Sequence, residues 1–237
     1  MVVVLPMAGR GSRYANQGYD TPKPLINVAG KPMVLWALKS LEGMTYSKLV
    51  VVALREHEEK FGISALLKGH VRAPLEFVWL GDVTAGQLCT VLEARYLLPP
   101  LEDVLVAASD TLVEGNLGFD IATTNHGGLI SVADLPGEQW SFARTDGAGN
   151  VVEVAEKKRI SHHASTGLYY FRKAEDLIRF GQQMIDQKET TRGEYYLIPV
   201  YQKMIAAGIS VGISSAHAMW DMGTPEAKRH FELHFTR

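Results

Sequence analysis

The residues best suited to chemistry lie in residues 5–25, LPMAGRGSRYANQGYDTPKPL, which follow a short apolar run. Gly9 and Gly11 allow main-chain N–H groups to turn toward a bound oxygen. Arg13 offers a permanently charged bidentate donor, and Lys23 offers a compact cation. The prolines on either side of Lys23 restrict its backbone, which lowers the entropy lost on binding. The segment therefore predicts a phosphate-binding loop.

Three other interpretations of this loop make different demands on its residues. A Walker A loop requires GxxxxGK[ST], and neither Gly9 nor Gly11 is followed by that lysine and hydroxyl. The dinucleotide fingerprint GxGxxG requires a third glycine where this chain has Tyr14. A surface turn with solvated charges stays open, but it leaves the glycines and the flanking prolines without an explanation.

The elements that must position this loop alternate regularly in the first half of the chain. Apolar runs predict buried strands at residues 2–5, 48–54, 75–80 and 102–108, with helices at 32–41, in the polar stretch before residue 75, and at 85–98. Strands that alternate with helices favour an α/β fold with a mostly parallel sheet. Loops after such strands meet at one sheet edge, so we expect Ser109 and Asp110 to lie near the opening loop.

The pattern changes after about residue 127. Four strands separated by turns are predicted at residues 129–133, 141–144, 151–156 and 167–171, which indicates antiparallel additions to the sheet. Helices at 173–187 and 193–207, short strands at 209–213 and 217–221 and a helix from Thr224 complete the prediction. The fold class is α/β, a Rossmann-like mixed, mostly parallel sheet flanked by helices with a smaller antiparallel lobe. We predict one domain over 1–237, with functional parts at 1–125 and 126–237.

Composition narrows the function classes. The chain has 237 residues, a formal net charge of −2 and one cysteine, and its pI is near 6.4. This balance gives no general attraction to nucleic acid or to an anionic membrane, so any phosphate binding must be local. No apolar run approaches a membrane span, and the expected location is the cytoplasm. The sequence is compatible with a homo-oligomer and leaves the oligomeric state open.

The pattern LPMAGRGSRY…TPKPLINVAGKPM resembles the signature of sugar-phosphate nucleotidylyltransferases, the family of glucose-1-phosphate thymidylyltransferase and mannose-1-phosphate guanylyltransferase. The resemblance implies the nucleotide-diphospho-sugar transferase fold, with a sugar-binding antiparallel lobe. It implies Mg²⁺ as cofactor and an NTP and a sugar 1-phosphate as partners, which give an NDP-sugar and pyrophosphate. Arg13 and Lys23 would be catalytic. Asp110 in AASDT and Asp221 in WDMGTP would bind the metal.

Further residues take roles from the same resemblance. The nucleotide would be bound by Met7, Ala8, Gly9, Gly11, Ser12, Gly86 and Gln87, with the glycine at position 86 admitting the base. The sugar phosphate would be bound by Glu156, Lys157, Thr166, Gly167 and Glu194. The family has Glu-Lys-Pro where this chain reads Glu156-Lys157-Lys158, so the proline is missing. The base and the sugar stay open.

Other functions remain possible at this point. Asp110 and Asp221 could each cap a helix, and Glu156-Lys157 could be a solvated strand end. The chain could be a cytidylyltransferase that acts on a non-sugar alcohol phosphate such as phosphocholine. It could also be a catalytically silent regulator that binds nucleotide sugars, although the four residues Arg13, Lys23, Asp110 and Asp221 argue against that.

Overall fold

The computed structural model describes residues 1–235. The strands are β1 Val2–Pro6, β2 Asn27–Val28, β3 Lys31–Pro32, β4 Lys48–Leu54, β5 Leu75–Leu80, β6 Val104–Ala107, β7 Thr111–Gly115, β8 Gly128–Asp134, β9 Ser141–Thr145, β10 Val151–Glu156, β11 His163–Phe171 and β12 Val211–Asp221. The α-helices are α1 Ser12–Ala15, α2 Met33–Lys39, α3 Arg55–Phe61, α4 Ile63–Lys68, α5 Gln87–Leu92, α6 Leu117–Thr123, α7 Ala174–Asp186, α8 Pro199–Ala206 and α9 Pro225–His234. Short 3₁₀ helices cover Lys23–Leu25 and Arg95–Leu97.

Within residues 1–235, one large sheet has the strand order β5-β4-β1-β6-β11-β8-β12-β7, and β9 and β10 extend it beside β11. Strands β5, β4, β1 and β6 are parallel neighbours, and β8 and β12 run in the same direction as them. The predicted mixed, mostly parallel α/β sheet is therefore confirmed. The strand order reverses direction between β1 and β6, which is where open α/β sheets leave a crevice for ligands.

Helices cover both faces of the sheet, and successive residues of a strand point to opposite faces. Val2 and Val4 pack into the core beneath α5, α7 and α8, while Val3 and Leu5 pack into the core on the side of α2 and α4. All four side chains are fully buried. The near-continuous apolar run of β1 is thus the pattern expected for a central parallel strand. This packing holds the end of β1, where the opening loop begins, in a rigid position.

Two predicted helices are shorter than expected. The helix predicted at 85–98 is α5, which ends at Leu92 and is followed by the 3₁₀ helix Arg95–Leu97. The helix predicted at 193–207 begins only at Pro199. The main chain of Tyr195 instead bonds to Ala85 O and to the amide of Leu88, both at 3.0 Å. These long-range bonds replace the intrahelical ones, so residues 193–198 lie as a loop against the start of α5.

The strands predicted at 209–213 and 217–221 are a single strand, β12. Its first half pairs in parallel with β8, and its second half pairs antiparallel with β7, a strand that the sequence analysis did not predict. A change of partner and a register shift between Ala216 and Ala218 account for the apparent break. The pairing places Asp221 opposite Thr111. Helix α6 was also not predicted.

The other predicted strands match the structure closely. The strands predicted at 48–54, 75–80 and 151–156 have the observed bounds, and the one predicted at 167–171 begins earlier, at His163. Strand β11 is antiparallel to β6, β8 and β9, and β9 is antiparallel to β10. None of the helices over residues 1–235 has the length and apolar character needed to cross a bilayer.

Candidate active site

A cleft of about 630 Å³ opens at the carboxyl ends of β1 and β6, where the strand order reverses. The loops after β1, β5, β6 and β10 reach it, together with the loop before α8. Of the residues predicted for the site, it is lined by Met7, Ala8, Gly9, Gly11, Ser12, Arg13, Lys23, Gly86, Gln87, Asp110, Lys157 and Glu194. Glu156, Thr166, Gly167 and Asp221 do not line it directly.

The opening loop folds so that its cations border the cleft. Gly11 has a φ of 60°, in the left-handed region, and a β-carbon there would meet the Cβ of Lys23 at 3.0 Å. Glycine is needed at this position for both reasons. Gly9 has an ordinary φ and open space around it. Pro22 precedes the 3₁₀ turn Lys23–Leu25, so the lysine sits on a backbone fixed by its neighbours.

Tyr14 ties this loop to the end of the chain. It is 1% exposed, and its single hydroxyl proton is shared between Met222 O at 2.6 Å and Thr224 O at 2.9 Å. Tyr14 and Met222 share an aromatic and aliphatic core with Trp36 and Phe231. The residue that ruled out the dinucleotide fingerprint is therefore a core residue that docks the loop against the WDMGTP segment.

The two predicted metal-binding aspartates lie close together. Asp110 Oδ2 and Asp221 Oδ1 are each 3.0 Å from the point where a β-carbon at Gly223 would stand, so the two oxygens are separated by no more than twice that distance. The Met222 amide bonds to Asp110 O at 2.8 Å, and the Gly223 amide donates to Asp221 Oδ1 at 2.8 Å. The β7–β12 pairing and these bonds bring together residues that are distant in sequence.

Lys23 makes a direct ion pair with one of these carboxylates. Its Nζ lies 2.5 Å from Asp110 Oδ2, and both side chains are about three-quarters buried. Burial opposes the charge on Asp110, but the nearby Lys23 ammonium outweighs it and lowers the pKa of that carboxyl. Burial, followed by the negative charge of Asp110, raises the pKa of Asp221 to about 6. The pair is thus an acidic site with one carboxylate that lacks a full counter-charge.

This donor set fits a small hard cation. Mg²⁺ is commonly held by one or two carboxylates, with water and substrate phosphates completing its octahedron. Asp110 lines the cleft, and Asp221 lies beside it, so the two supply such a pair of carboxylates. Over residues 1–235 no group of three or more His, Cys, Asp or Glu side chains forms a closed metal site, and an open site does not require one.

Lys157 and Glu194 also line the cleft. Lys157 follows β10 with a φ of 53°, and its amide donates to Trp140 O at 2.9 Å. Its ammonium hydrogen-bonds to the hydroxyl of Tyr196 and lies 4.2 Å from the centre of that ring. Glu194 is held by reciprocal main-chain bonds with Thr191.

Glu156 does not line the cleft itself. Its carboxylate accepts a hydrogen bond from Ser141 Oγ, and Tyr169 extends this chain with a hydroxyl 3.4 Å from that oxygen. Burial raises the pKa of Glu156, the Ser141 hydrogen bond and Lys157 oppose the rise, and the charge of Glu194 adds to it. Glu156 therefore lies within electrostatic reach of both Lys157 and Glu194.

Thr166 and Gly167 lie beneath the cleft floor. Thr166 is 1% exposed and donates to Ser131 Oγ at 2.8 Å. Gly167 has a φ of 87° at an irregularity in β11, and a β-carbon there would meet the Cβ of Ala108 at 2.7 Å. Their positions support Ala108, which lines the cleft just before Asp110.

Gly86 has a structural reason to be glycine. Its φ is 147°, and a β-carbon would lie 2.5 Å from the main-chain N and O of Tyr195. The close approach of that loop excludes any side chain. Gln87, the first residue of α5, faces the cleft beside it. Residues 85–88 and the loop before α8 consequently form one joined wall.

Two cleft residues of interest were not predicted from the sequence. Tyr196, two residues after Glu194, contacts Lys157, and Gly223 lies close to one oxygen of each aspartate. Glu194 and the WDMGTP segment were both predicted to belong to the site, but a helix was predicted from residue 193, and Tyr196 lies in a loop instead. Gly223 stands two residues after Asp221, and this small residue close to a predicted metal ligand was the available signal.

Comparison with known proteins supports this reading of the fold. No family model matches the chain. It is 28% identical over 210 residues to the bifunctional protein GlmU of Thermoanaerobacter pseudethanolicus, covering 83% of this chain and 43% of the relative. It is 27% identical over 225 residues to GlmU of Pelotomaculum thermopropionicum, covering 89% and 46%. The chain thus spans about half the length of the curated relatives that it matches.

Solved structures with the same fold give a second comparison. A nucleoside-diphosphate-sugar pyrophosphorylase from Vibrio cholerae RC9 superposes with a TM-score of 0.87 at 24% identity, covering 98% of this chain and all of the other. A putative glucose-1-phosphate thymidylyltransferase from Bacillus anthracis gives 0.79 at 16% identity, covering 100% and 97%. At these identities the structures establish the fold. The predicted resemblance to sugar-phosphate nucleotidylyltransferases is confirmed, and the predicted class, a nucleotidyltransferase, is that of these neighbours.

Proposed function

We propose that this chain transfers a nucleotidyl group from an NTP to a sugar 1-phosphate, releasing pyrophosphate, with Mg²⁺ as cofactor. The observation that carries the proposal is one cleft bordered by three features: a cationic glycine loop, Asp110 with Asp221 close to it, and the lysine and glutamate at positions 157 and 194. A reaction between two phosphate-bearing substrates needs these three features, because two polyanions must be held together.

Arg13 and Lys23 would bind the triphosphate. Both line the cleft, and the glycines of the opening loop allow main-chain N–H groups to contact phosphate oxygens at close range. Lys23 bonds to Asp110 in this structure, and an incoming phosphate chain competes for the same ammonium. The guanidinium of Arg13 can bind two oxygens at once, which aligns the α-phosphorus for attack.

Lys157 would bind the acceptor phosphate, and Glu194 would accept hydrogen bonds from the acceptor's hydroxyl groups. The reaction is an in-line displacement: an oxygen of the acceptor phosphate forms a bond to the α-phosphorus while the bond to the bridging oxygen breaks and pyrophosphate leaves with that electron pair. A phosphate monoester loses its second proton near pH 6. The attacking oxygen is therefore already anionic at neutral pH and needs no general base.

Asp110 and Asp221 would hold the divalent cation. When bound, that cation supplies positive charge to the phosphate oxygens as negative charge shifts toward the leaving group. Glycine at position 223 would suit this role, because a β-carbon there would crowd an oxygen of each carboxylate.

A pyrophosphate-release assay tests the function. The purified protein is incubated with Mg²⁺, one of UTP, dTTP, CTP, GTP or ATP, and one acceptor from a panel of sugar 1-phosphates and alcohol phosphates including phosphocholine. Asp110→Asn, prepared in the same way, controls for contaminating enzymes. We expect release that depends on both substrates and is lost in the variant. If only alcohol phosphates were turned over, the acceptor would be an alcohol phosphate and not a sugar 1-phosphate. Nucleotide-sugar binding without any turnover would instead establish a regulator.

A further inference from the structure

Tyr196 connects two segments that line the cleft. Its neighbour Tyr195 is bonded through its main chain to Ala85 and Leu88, at the start of α5. The backbone that carries Tyr196 is thereby fixed to the segment proposed to meet the nucleotide. Its side chain contacts Lys157, which follows β10.

The contact restrains a side chain that is otherwise flexible. A lysine ammonium sits on a four-carbon stem with freely rotating bonds, and ordering it costs side-chain entropy. The hydroxyl of Tyr196 accepts a hydrogen bond from the Lys157 ammonium, whose nitrogen also lies 4.2 Å from the centre of the aromatic ring. At its other end, Lys157 is held by the bond from its amide to Trp140 O. Both ends of the lysine are thus fixed.

The hydroxyl of Tyr196 remains protonated. Burial raises its pKa, and the neighbouring carboxylates of Glu194 and Glu156 raise it further, while the charge of Arg13 opposes them. A neutral hydroxyl keeps its lone pairs available to accept a hydrogen bond from Lys157.

We infer that Tyr196 is a positioning residue that holds the Lys157 ammonium in place for the acceptor phosphate. The inference rests on the proposed function for the identity of the acceptor, but the restraint on Lys157 exists without any substrate. Tyr196 acts through Lys157, so its effect belongs to acceptor binding and not to the NTP.

The first test needs no turnover. The ¹⁵N-labelled ammonium signal of Lys157, assigned with Lys157→Met, is compared by NMR with that of the exposed Lys68. We expect slowed rotation for Lys157 in the wild-type protein and mobility like that of Lys68 in Tyr196→Phe, which keeps the ring and removes the hydroxyl. A Lys157 signal already as mobile as that of Lys68 in the wild-type protein would overturn the inference, whatever reaction the protein catalyses.

The second test uses the acceptor identified by the pyrophosphate panel. Tyr196→Phe should raise KM for the acceptor about tenfold, the effect of losing a hydrogen bond to a charged group, with kcat and the KM for the NTP within about twofold. Tyr195→Phe, which removes a hydroxyl from the adjacent residue, should change neither constant. In the Lys157→Met background, Tyr196→Phe should have no further effect on acceptor KM. Equal changes in both KM values, or a full tenfold effect in that background, would refute the positioning role.

Discussion

Replacing Gly223 by alanine tests whether the two aspartates act on one cation while leaving both carboxylates in the chain. A β-carbon at this position would lie 3.0 Å from Asp110 Oδ2 and 3.0 Å from Asp221 Oδ1. Its φ lies outside the left-handed region, so alanine brings no backbone strain. Apart from its chain neighbours, the three heavy atoms nearest to the added β-carbon all belong to these two carboxylates.

Neither oxygen can withdraw without losing a partner. Asp221 Oδ1 accepts from the Gly223 amide at 2.8 Å, and Asp110 Oδ2 is held by Lys23 at 2.5 Å. Relieving the contact requires shifts of a few tenths of an ångström, and metal–ligand distances tolerate only about 0.2 Å. We expect the Mg²⁺ concentration for half-maximal activation to rise about tenfold, or about 1.4 kcal/mol. Overpacking should lower the free energy of unfolding by only about 1 kcal/mol.

The assay is pyrophosphate release as a function of Mg²⁺ at saturating substrates, together with the Mg²⁺-dependent shift in the thermal unfolding midpoint without substrates. Gly147→Ala is the matched control, because a β-carbon there meets no heavy atom within 4 Å. We expect wild-type behaviour from the control. A Gly223→Ala protein that is folded and has a wild-type Mg²⁺ midpoint in both measurements would refute a cation shared by the two carboxylates.

Four further predictions follow from the same geometry. Arg13→Ala should lower kcat/KM for the NTP about 30-fold, or about 2 kcal/mol, with an unchanged unfolding midpoint; a wild-type kcat/KM would contradict its role at the triphosphate. Lys157→Ala should raise KM for the acceptor far more than KM for the NTP, and equal increases would show that it is not an acceptor ligand. Asp110→Asn and Asp221→Asn should each weaken Mg²⁺ activation, and the double variant should lose much less than the product of the two, since residues that act as a unit are non-additive; full additivity would contradict the shared site. Because the pKa of Asp221 is raised to about 6, the metal-free folded protein retains this proton at a pH where the unfolded chain has lost it. The stability from that proton is therefore present below about pH 4 and lost as the pH rises through 6. Mg²⁺ affinity should fall below pH 6, because the proton competes with the metal. Unfolding curves and Mg²⁺ titrations with the same pH dependence in the wild-type protein as in Asp221→Asn would contradict this.

Much of the fold could be predicted because its signals are local. The apolar runs of β4, β5 and β10 have the predicted bounds, since alternating or continuous burial appears directly in the residue order. The left-handed Gly11 and the proline-flanked Lys23 were also identifiable, because each residue type restricts its own backbone. The chemistry of the opening loop therefore needed no knowledge of distant residues to be proposed.

The loop before α8 could not be predicted in the same way. Residues 193–198 favour a helix when read alone, but their hydrogen bonds go to residues 85–88, more than 100 positions earlier. The continuity of β12 was hidden for a similar reason, because its two halves have different partners. Tyr196 was consequently missed although its neighbour Glu194 was noted. Long-range pairing overrides local preference in such segments.

By itself, the sequence determined which residue types are present for phosphate chemistry and which strands carry them: the glycine loop after β1, Asp110 after β6 and Asp221 at the end of β12. Only the tertiary structure decided that the two aspartates are neighbours. That decision rests on the antiparallel register that sets Asp221 opposite Thr111 and on the bond between the Met222 amide and Asp110 O. Register arises from cross-strand packing and main-chain hydrogen bonds between segments 110 residues apart, and no local pattern in either segment encodes it.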